Sequence, residues 1–326
     1  MKKRILSGMR PTGKLHLGHL AGALENWVKL QDEYSNFHLV ADWHALTTAA
    51  DRTEELAENT REMVIDWLSA GIDPQKSPIF VQSHIPEHAE LFLIFSMLIT
   101  VPRLERNPAV KEQAQQLNLE DRMAYGHLGY PVLQAADILL YKGDLVPVGE
   151  DQVPHLEISR ELARRFNKLY KKIFPEPEAK LTDFGRLLGT DARRMAKSLN
   201  NSILIADSTE VITKKIKRCI TDPARVHKND PGHPEICPIY YYHKKFHPAT
   251  LEDIKTGCIE GTLGCVEHKN DMTRKLIDYL EPMWEKREYY EQHPALIDEI
   301  IEDGDRRARQ IAGETMAEVR EAMKLP

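Results

Sequence analysis

The first 186 residues alternate between short apolar runs and longer stretches of helical apolar spacing, and no other feature of the chain constrains its fold as much. Lys3 to Ser7 reads as a strand, Gly8-Met9-Arg10-Pro11-Thr12-Gly13 has turn chemistry, and Leu20 to Leu30 repeats its apolar residues at helical intervals. Phe37-His38-Leu39-Val40-Ala41 and Pro78-Ile79-Phe80-Val81-Gln82 read as further buried strands, separated by a helical pattern from Thr53 to Ala70. Asp144-Leu145-Val146-Pro147-Val148-Gly149 is another strand ending in a glycine, followed by a helix from about Val153 to Tyr170. Strands that alternate with helices predict an α/β fold with a parallel sheet.

Beyond Asp207 the strand signals fade, and Thr209 to Ile220, Asp271 to Trp284 and Ala312 to Met323 carry helical spacing, so the second part is expected to be mainly helical. A length of 326 residues suits about two domains, each able to bury its own core. The boundary is expected near Arg186, and Pro175-Glu176-Pro177 reads as a single loop rather than a linker. The longest apolar run, Leu91 to Val101, is too short for a bilayer and is bounded by Glu90 and Arg103, which predicts a buried helix and no membrane span. The basic start Met1-Lys2-Lys3-Arg4 passes into the first turn without the apolar stretch of a secretory signal, so a cytoplasmic protein is expected. A net charge of −6 argues against wholesale coating by nucleic acid but leaves room for a local basic groove.

His16-Leu17-Gly18-His19 falls where the first loop enters the first helix, a position at which backbone N–H groups and the helix dipole favour phosphate. Two imidazoles there can donate to phosphoryl oxygens, and Gly18 has no side chain to block a flat base. Four residues alone also describe two surface histidines at a helix start. A second element gives them weight: Arg193-Arg194-Met195-Ala196-Lys197-Ser198-Leu199-Asn200-Asn201 is a basic, hydroxyl-bearing loop that can close on a triphosphate.

In order and separation the two elements resemble the HIGH and KMSKS signatures of class I aminoacyl-tRNA synthetases. Within that class the chain resembles the bacterial tryptophanyl-tRNA synthetases almost end to end, through Ser7 to Gly13, Ala41-Asp42-Trp43-His44-Ala45-Leu46, Ala135-Ala136-Asp137-Ile138-Leu139-Leu140-Tyr141 and Val146 to Gln152. The second signature departs twice, with Arg194 for its first lysine and Ala196 for its first serine. Charge survives at the one and a hydroxyl is lost at the other, so loop closure is expected to be altered.

The resemblance implies a Rossmann-like ATP-binding domain with a helical insertion over 1–186. It places the signature loop and a helical anticodon-binding domain over 187–326. It also implies ATP and Mg²⁺, L-tryptophan and the tryptophan tRNA as ligands, and a homodimer. Tryptophan's carboxylate would attack the α-phosphorus of ATP to give tryptophanyl-adenylate and pyrophosphate, after which a ribose hydroxyl of the tRNA takes the aminoacyl group. That carboxylate is already ionised, so positioning and charge stabilisation suffice without a general base.

On the same basis His16, His19, Lys111, Lys197 and Ser198 are the expected catalytic residues. ATP would be held by Arg10, Pro11, Thr12, Gly18, Gly149, Glu150, Asp151, Arg194, Met195 and Ala196 as well, with Asp151 accepting from ribose hydroxyls. Asp137 lies in the apolar stretch Leu133 to Leu140 and needs a partner, because a buried unpaired carboxylate is expensive. The resemblance makes that partner the indole N–H, with Tyr130 and Gln152 on the substrate amino group and His44 near the pocket wall.

All four cysteines, Cys219, Cys237, Cys258 and Cys265, lie in the last third, which in a reducing compartment favours metal binding or burial over disulfides. Cys237, Cys258, Cys265 and His268 are separated by twenty, six and two residues, and three thiolates with an imidazole can close a metal site. A subset of the resembled family carries a four-cysteine iron–sulfur cluster (4Fe–4S) with the same last two gaps. His268 stands here at the fourth position, which leaves zinc or no metal as alternatives, while Cys219 is expected to be a buried apolar residue.

The basic stretches Arg160 to Lys172 and Lys214 to Arg218 can meet tRNA phosphates, although charge runs are commonly solvated helical faces. The helical region His88 to Ile99, with Met97, reads as dimer interface or core. The alternatives to a tryptophan enzyme are a tyrosyl-tRNA synthetase, a small-molecule adenylyltransferase, and a non-catalytic RNA-binding paralogue. Ala135-Ala136-Asp137 disfavours the first, the second signature disfavours the second, and His16, His19, Lys197 and Asp137 argue against the third.

Overall fold

The computed structural model describes residues 2–116, 123–148, 153–181 and 187–326. Its strands are β1 (Arg4–Met9), β2 (Ser35–Val40), β3 (Ile79–Val81), β4 (Leu145–Val148) and β5 (Glu178–Leu181). They form one sheet in the order β3-β2-β1-β4-β5, and every pairing is parallel. The apolar runs of β2 and β3 are buried almost throughout, as a sheet covered on both faces requires. The chain adds strands to one side of β1 and then crosses to the other, which opens a crevice at the carboxyl ends of β1 and β4.

Four of the five strands lie where the apolar pattern predicts them. The fifth, Glu178-Ala179-Lys180-Leu181, has no apolar run because it is an edge strand paired only to β4, and its charged residues suit an exposed edge. The first helix begins at Leu17–His19, ahead of its apolar spacing, and passes through a π-helical turn at Leu20–Leu24 before Glu25–Leu30. The helix expected from Thr53 runs over Leu56–Ser69, and the one after β4 over Val153–Leu169.

After Leu181 the named elements are all helical. The predicted helices appear as Thr209–Lys217, Cys265–Gln292 and Pro294–Met323; two more, Pro238–Phe246 and Leu251–Ile259, have no counterpart among the segments expected from the sequence.

Two large apolar clusters hold the molecule together, and each draws on both sides of residue 186. One joins Leu39, Phe80 and Phe95 to Ala308, Ala312 and Met316; the other joins Trp27, Val64 and Trp67 to Ile216, Tyr242 and Leu276. The last helix lies so close to β3 that a Cβ on Gly304 would fall 1.8 Å from the Ile79 carbonyl oxygen. Any larger residue at 304 would have to push helix and sheet apart.

The apolar run Leu91 to Val101 corrects the expectation of a buried helix. It contributes to Glu87–Ser96 and Val101–Glu105, and while Leu91, Ile94 and Phe95 enter the core, Leu93, Met97 and Val101 are exposed by 61%, 65% and 49%. The run is apolar on both faces, so periodicity does not reveal which face is left uncovered. Among the described residues no helix is long and apolar enough to cross a membrane.

Candidate active site

His16 and His19 are locked together by the backbone that carries them. The His19 N–H donates to His16 Nδ1 and the His16 N–H to His19 Nδ1, both at 3.3 Å, and the rings stack with centroids 3.7 Å apart. Each Nδ1 is therefore an acceptor, which leaves the proton of a neutral ring on Nε2 and makes both rings donors there. Burial, followed by the charge of Lys197, brings His16 down to about 4; burial and the neighbouring His16 hold His19 well below its ordinary value. Gly18 serves this pair, since a Cβ would stand 2.9 Å from the His16 ring. Its lack of a side chain admits the imidazole beside it.

A short antiparallel pairing that no sequence pattern announced brings the second signature to the first. The Leu17 N–H donates to the Ile203 carbonyl at 2.9 Å and the Ile205 N–H to the Leu15 carbonyl at 2.8 Å. Met195 is buried in the same apolar cluster as Leu17. Lys197, half-buried, then reaches across and donates from Nζ to the Thr12 carbonyl at 2.5 Å and the Lys14 carbonyl at 2.8 Å. Burial lowers its pKa, against the opposing charge of Asp66.

Ala196 keeps a backbone tie in place of the absent hydroxyl: its N–H donates to Asn201 Oδ1 at 2.8 Å. The amide of Asn201 in turn holds Asp191 at 2.7 Å and the Arg194 carbonyl at 3.0 Å. Arg194 and Ser198 are exposed, and the charge of Arg194 acts on His16 and His19.

Arg10 lies 3.5 Å from the Thr48 hydroxyl and its charge acts on Tyr130, whose phenol burial pushes up. Pro11 is buried and Thr12 exposed. Lys111 is exposed on the helix Pro108–Gln116, and no described contact joins it to either signature. Gly149, Glu150, Asp151 and Gln152 lie outside the described residues.

Asp137 is 3% exposed, and its partners answer the question its setting raises. Oδ1 accepts from His88 Nδ1 and Gln82 Nε2, both at 2.7 Å; Oδ2 accepts from His44 Nε2 at 2.8 Å, and Gln82 Nε2 also lies 2.9 Å from it. Burial pushes this carboxyl up, but the hydrogen bonds and charges of His44 and His88 outweigh it and hold Asp137 at about 2. Three donor groups make four contacts to the carboxylate, with Gln82 Nε2 shared between its two oxygens. His88 Nε2 meets the Tyr141 hydroxyl at 2.9 Å, which fixes the ring from behind.

Gln82, His88 and Tyr141 were not among the expected site residues. Gln82 follows the carboxyl end of β3, a position that would have flagged it. His88 is hidden in an apolar helix, and no sequence signal marks it.

Cys237, Cys258, Cys265 and His268 line one enclosed cavity of about 20 Å³ with Arg225. Burial raises the thiols of Cys237 and Cys258, Arg225 donates to Cys265 Sγ at 3.3 Å, and His268 stacks on His243 at 4.8 Å with its Nε2 buried and unpartnered among the described residues. The orphaned nitrogen and the soft donors suit a metal. The geometry departs from the expected metal-ligand set, because among the described residues no three His, Cys, Asp or Glu side chains converge on one point. Cys219 is buried at 3% with its thiol pushed up to about 12, an apolar filler.

In the basic stretch after β4, three of the six cations pair with carboxylates among the described residues: Arg160 with Glu157, Arg164 with Glu176, and Lys171 with Glu321. In the second cluster Lys215 pairs with Asp207 at 2.5 Å.

The family described as tRNA synthetases class I (W and Y) matches residues 1–281. The tryptophan–tRNA ligase of Thermotoga maritima is 52% identical over 325 residues, 99% of each chain, and that of Treponema pallidum is 46% identical over 327 residues, 99% of this chain and 97% of the other. The structure of the Campylobacter jejuni tryptophanyl-tRNA synthetase complexed with ADP and tryptophan superposes with a TM-score of 0.88 at 33% identity, over 99% of this chain and all of that one.

Proposed function

The chain belongs to the class I tRNA synthetases of the tryptophan and tyrosine type, and from that premise we infer that it activates L-tryptophan with ATP and transfers it to the tryptophan tRNA. The observation that carries the reading is the meeting of the two signature loops, with Lys197 docked on the Thr12 and Lys14 carbonyls beside the His16–His19 pair. Neutral Nε2–H groups of His16 and His19 and the ammonium of Lys197 supply donors for phosphoryl oxygens as negative charge shifts towards the leaving pyrophosphate. Mg²⁺ enters with ATP as part of the substrate. Arg10, Pro11, Thr12, Gly18, Arg194, Met195, Ala196 and Ser198, with Gly149, Glu150 and Asp151, are proposed to complete the ATP site. Lys111, exposed on the helix Pro108–Gln116, is proposed to contact the phosphates.

Tryptophan is proposed to lie against Asp137, whose carboxylate takes the indole N–H by sharing or displacing one of its present donors, with Tyr130 and Gln152 on the amino group and His44 bracing the carboxylate. Pyrophosphate exchange with each proteinogenic amino acid tests the assignment. Exchange with tryptophan alone is expected. Exchange with tyrosine, or none at all in a chain that still binds tRNA, would overturn it in favour of the corresponding alternative.

Residues 1–186 are proposed to carry activation, and 187–326 the second signature and anticodon contacts; both ligands, ATP and tRNA, place the work in the cytoplasm. The uncovered Leu93, Met97 and Val101 are proposed to pack against a second copy of the chain. For Cys237, Cys258, Cys265 and His268 the soft donors and the buried His268 Nε2, unpartnered among the described residues, support a metal whose binding would draw the side chains together, zinc being able to accept three thiolates and an imidazole and an iron–sulfur cluster being the alternative. Anaerobic purification followed by zinc, iron and sulfide analysis is expected to find about one zinc per chain, that metal being able to bind three thiolates and one imidazole. Iron and sulfide in its place would restore the cluster. Neither metal, with the three thiols titrating freely in the native protein, would end the metal reading.

A further inference from the structure

The proposed chemistry leaves unused a buried ion pair that joins the C-terminal half to the first signature loop. Asp66, on Leu56–Ser69, has a fully buried side chain, and that of Arg287, on Cys265–Gln292, is 5% exposed. Asp66 Oδ1 accepts from Arg287 Nη1 at 2.5 Å, while Oδ2 accepts the Leu15 N–H at 2.6 Å. Arg287 also binds Glu62 through Nη2 and Glu291 through Nε at 2.9 Å, and Glu62 lies 3.9 Å from the ammonium of Lys14.

Leu15 is the residue between Lys14, whose carbonyl holds Lys197, and His16. Its carbonyl is taken by the Ile205 N–H and its N–H by Asp66, so both sides of this peptide segment are pinned. The charge of Asp66 also acts on Lys197 itself. Desolvating two charges is expensive, so joining the two helices does not by itself explain the pair, although Asp66 also satisfies the buried Leu15 N–H. Direction explains it, because a guanidinium fork and a two-oxygen acceptor fix the position of whatever they hold.

We propose that Asp66 and Arg287 are positioning residues for ATP: together they set the Lys14–His16 backbone, and with it the dock of Lys197, from the helix Cys265–Gln292. The inference rests on the synthetase reading above and assigns to two residues outside both signatures a part in the ATP step.

Asp66→Asn, Arg287→Gln and Arg287→Lys are compared with the parent chain by pyrophosphate exchange at saturating and limiting ATP and tryptophan. Each rate is normalised to active sites titrated by the adenylate burst. Exchange by the parent chain tests the synthetase reading independently of the variants. Asp66→Asn and Arg287→Gln are expected to raise KM for ATP by about ten-fold with KM for tryptophan within about two-fold, and Arg287→Lys to recover part of the loss. A purely structural pair would lower the titrated site number and leave both KM values alone. That outcome, or a parallel rise in both KM values, overturns the proposal. Should the neutral variants fail to fold, Arg287→Lys decides: with its charge kept and its fork lost, an unchanged KM for ATP refutes the assignment.

Discussion

Lys197→Ala is expected to slow adenylate formation by about 10²–10³-fold, the usual cost of removing one donor aimed at developing charge, while tryptophan affinity stays within about two-fold. Without ATP the ammonium is satisfied by the Thr12 and Lys14 carbonyls; with the triphosphate in the crevice it would exchange them for phosphoryl oxygens whose charge grows as the α-phosphorus bond to pyrophosphate breaks. The loss therefore belongs in the rate of the step and not in ground-state binding of the amino acid. Single-turnover formation of the adenylate and equilibrium binding of tryptophan separate the two. A loss confined to tryptophan binding contradicts the role. Arg194 is exposed and adds its charge to the same region, so Arg194→Ala is expected to be the milder change.

Asp137→Ala is expected to lower kcat/KM for tryptophan by about 10²-fold or more, because it removes the acceptor for the indole and strands His44, His88 and Gln82, at about 1–3 kcal/mol for each buried group left unpaired. ATP binding should be preserved. Discrimination between tryptophan and phenylalanine is the decisive readout, since the parent carboxylate penalises a side chain that brings no donor. Unchanged discrimination would remove Asp137 from the specificity site. Asp137→Asn tests charge against shape: the amide keeps the volume but presents N–H groups towards rings that are themselves donating.

The sign of the pH dependence follows from the same contacts. The folded-state pKa of Asp137, about 2, lies below the ordinary 3.8. Its contribution to stability is complete above about 4 and fades as the pH falls towards 2, so the Asp137 term leaves neutral-pH stability flat.

Much of the site was legible before any fold was known, because the chemistry of nucleotide binding is written in short contiguous pieces. His16 to His19, Arg193 to Asn201 and the apolar surroundings of Asp137 each declare a local requirement, whether a phosphate donor, a mobile cation or a partner for a carboxylate. The parallel sheet was legible for a similar reason: a strand buried on both faces is a run of apolar residues, and a helix between strands has its own period.

What tertiary structure alone decided are the relations between distant segments and the state of groups whose character depends on neighbours. The pairing of Leu15–Leu17 with Ile203–Ile205 rests on backbone groups that every residue carries. The Asp137 network joins residues 44, 82, 88 and 137, none within hydrogen-bonding range by sequence. His16 and His19 are neutral Nε2–H donors only because burial, and backbone N–H groups donating to each Nδ1, make them so. The edge strand β5 and the uncovered face at Leu93 and Met97 have no periodic signature, one being too short and polar and the other apolar all round. Cys237, Cys258 and Cys265 have a spacing that promises a metal-binding array, yet the helices carrying them deliver the side chains to one small cavity without making three donors converge. Spacing along a chain limits which residues can meet, but the packing of helices determines whether they meet at ligand distance.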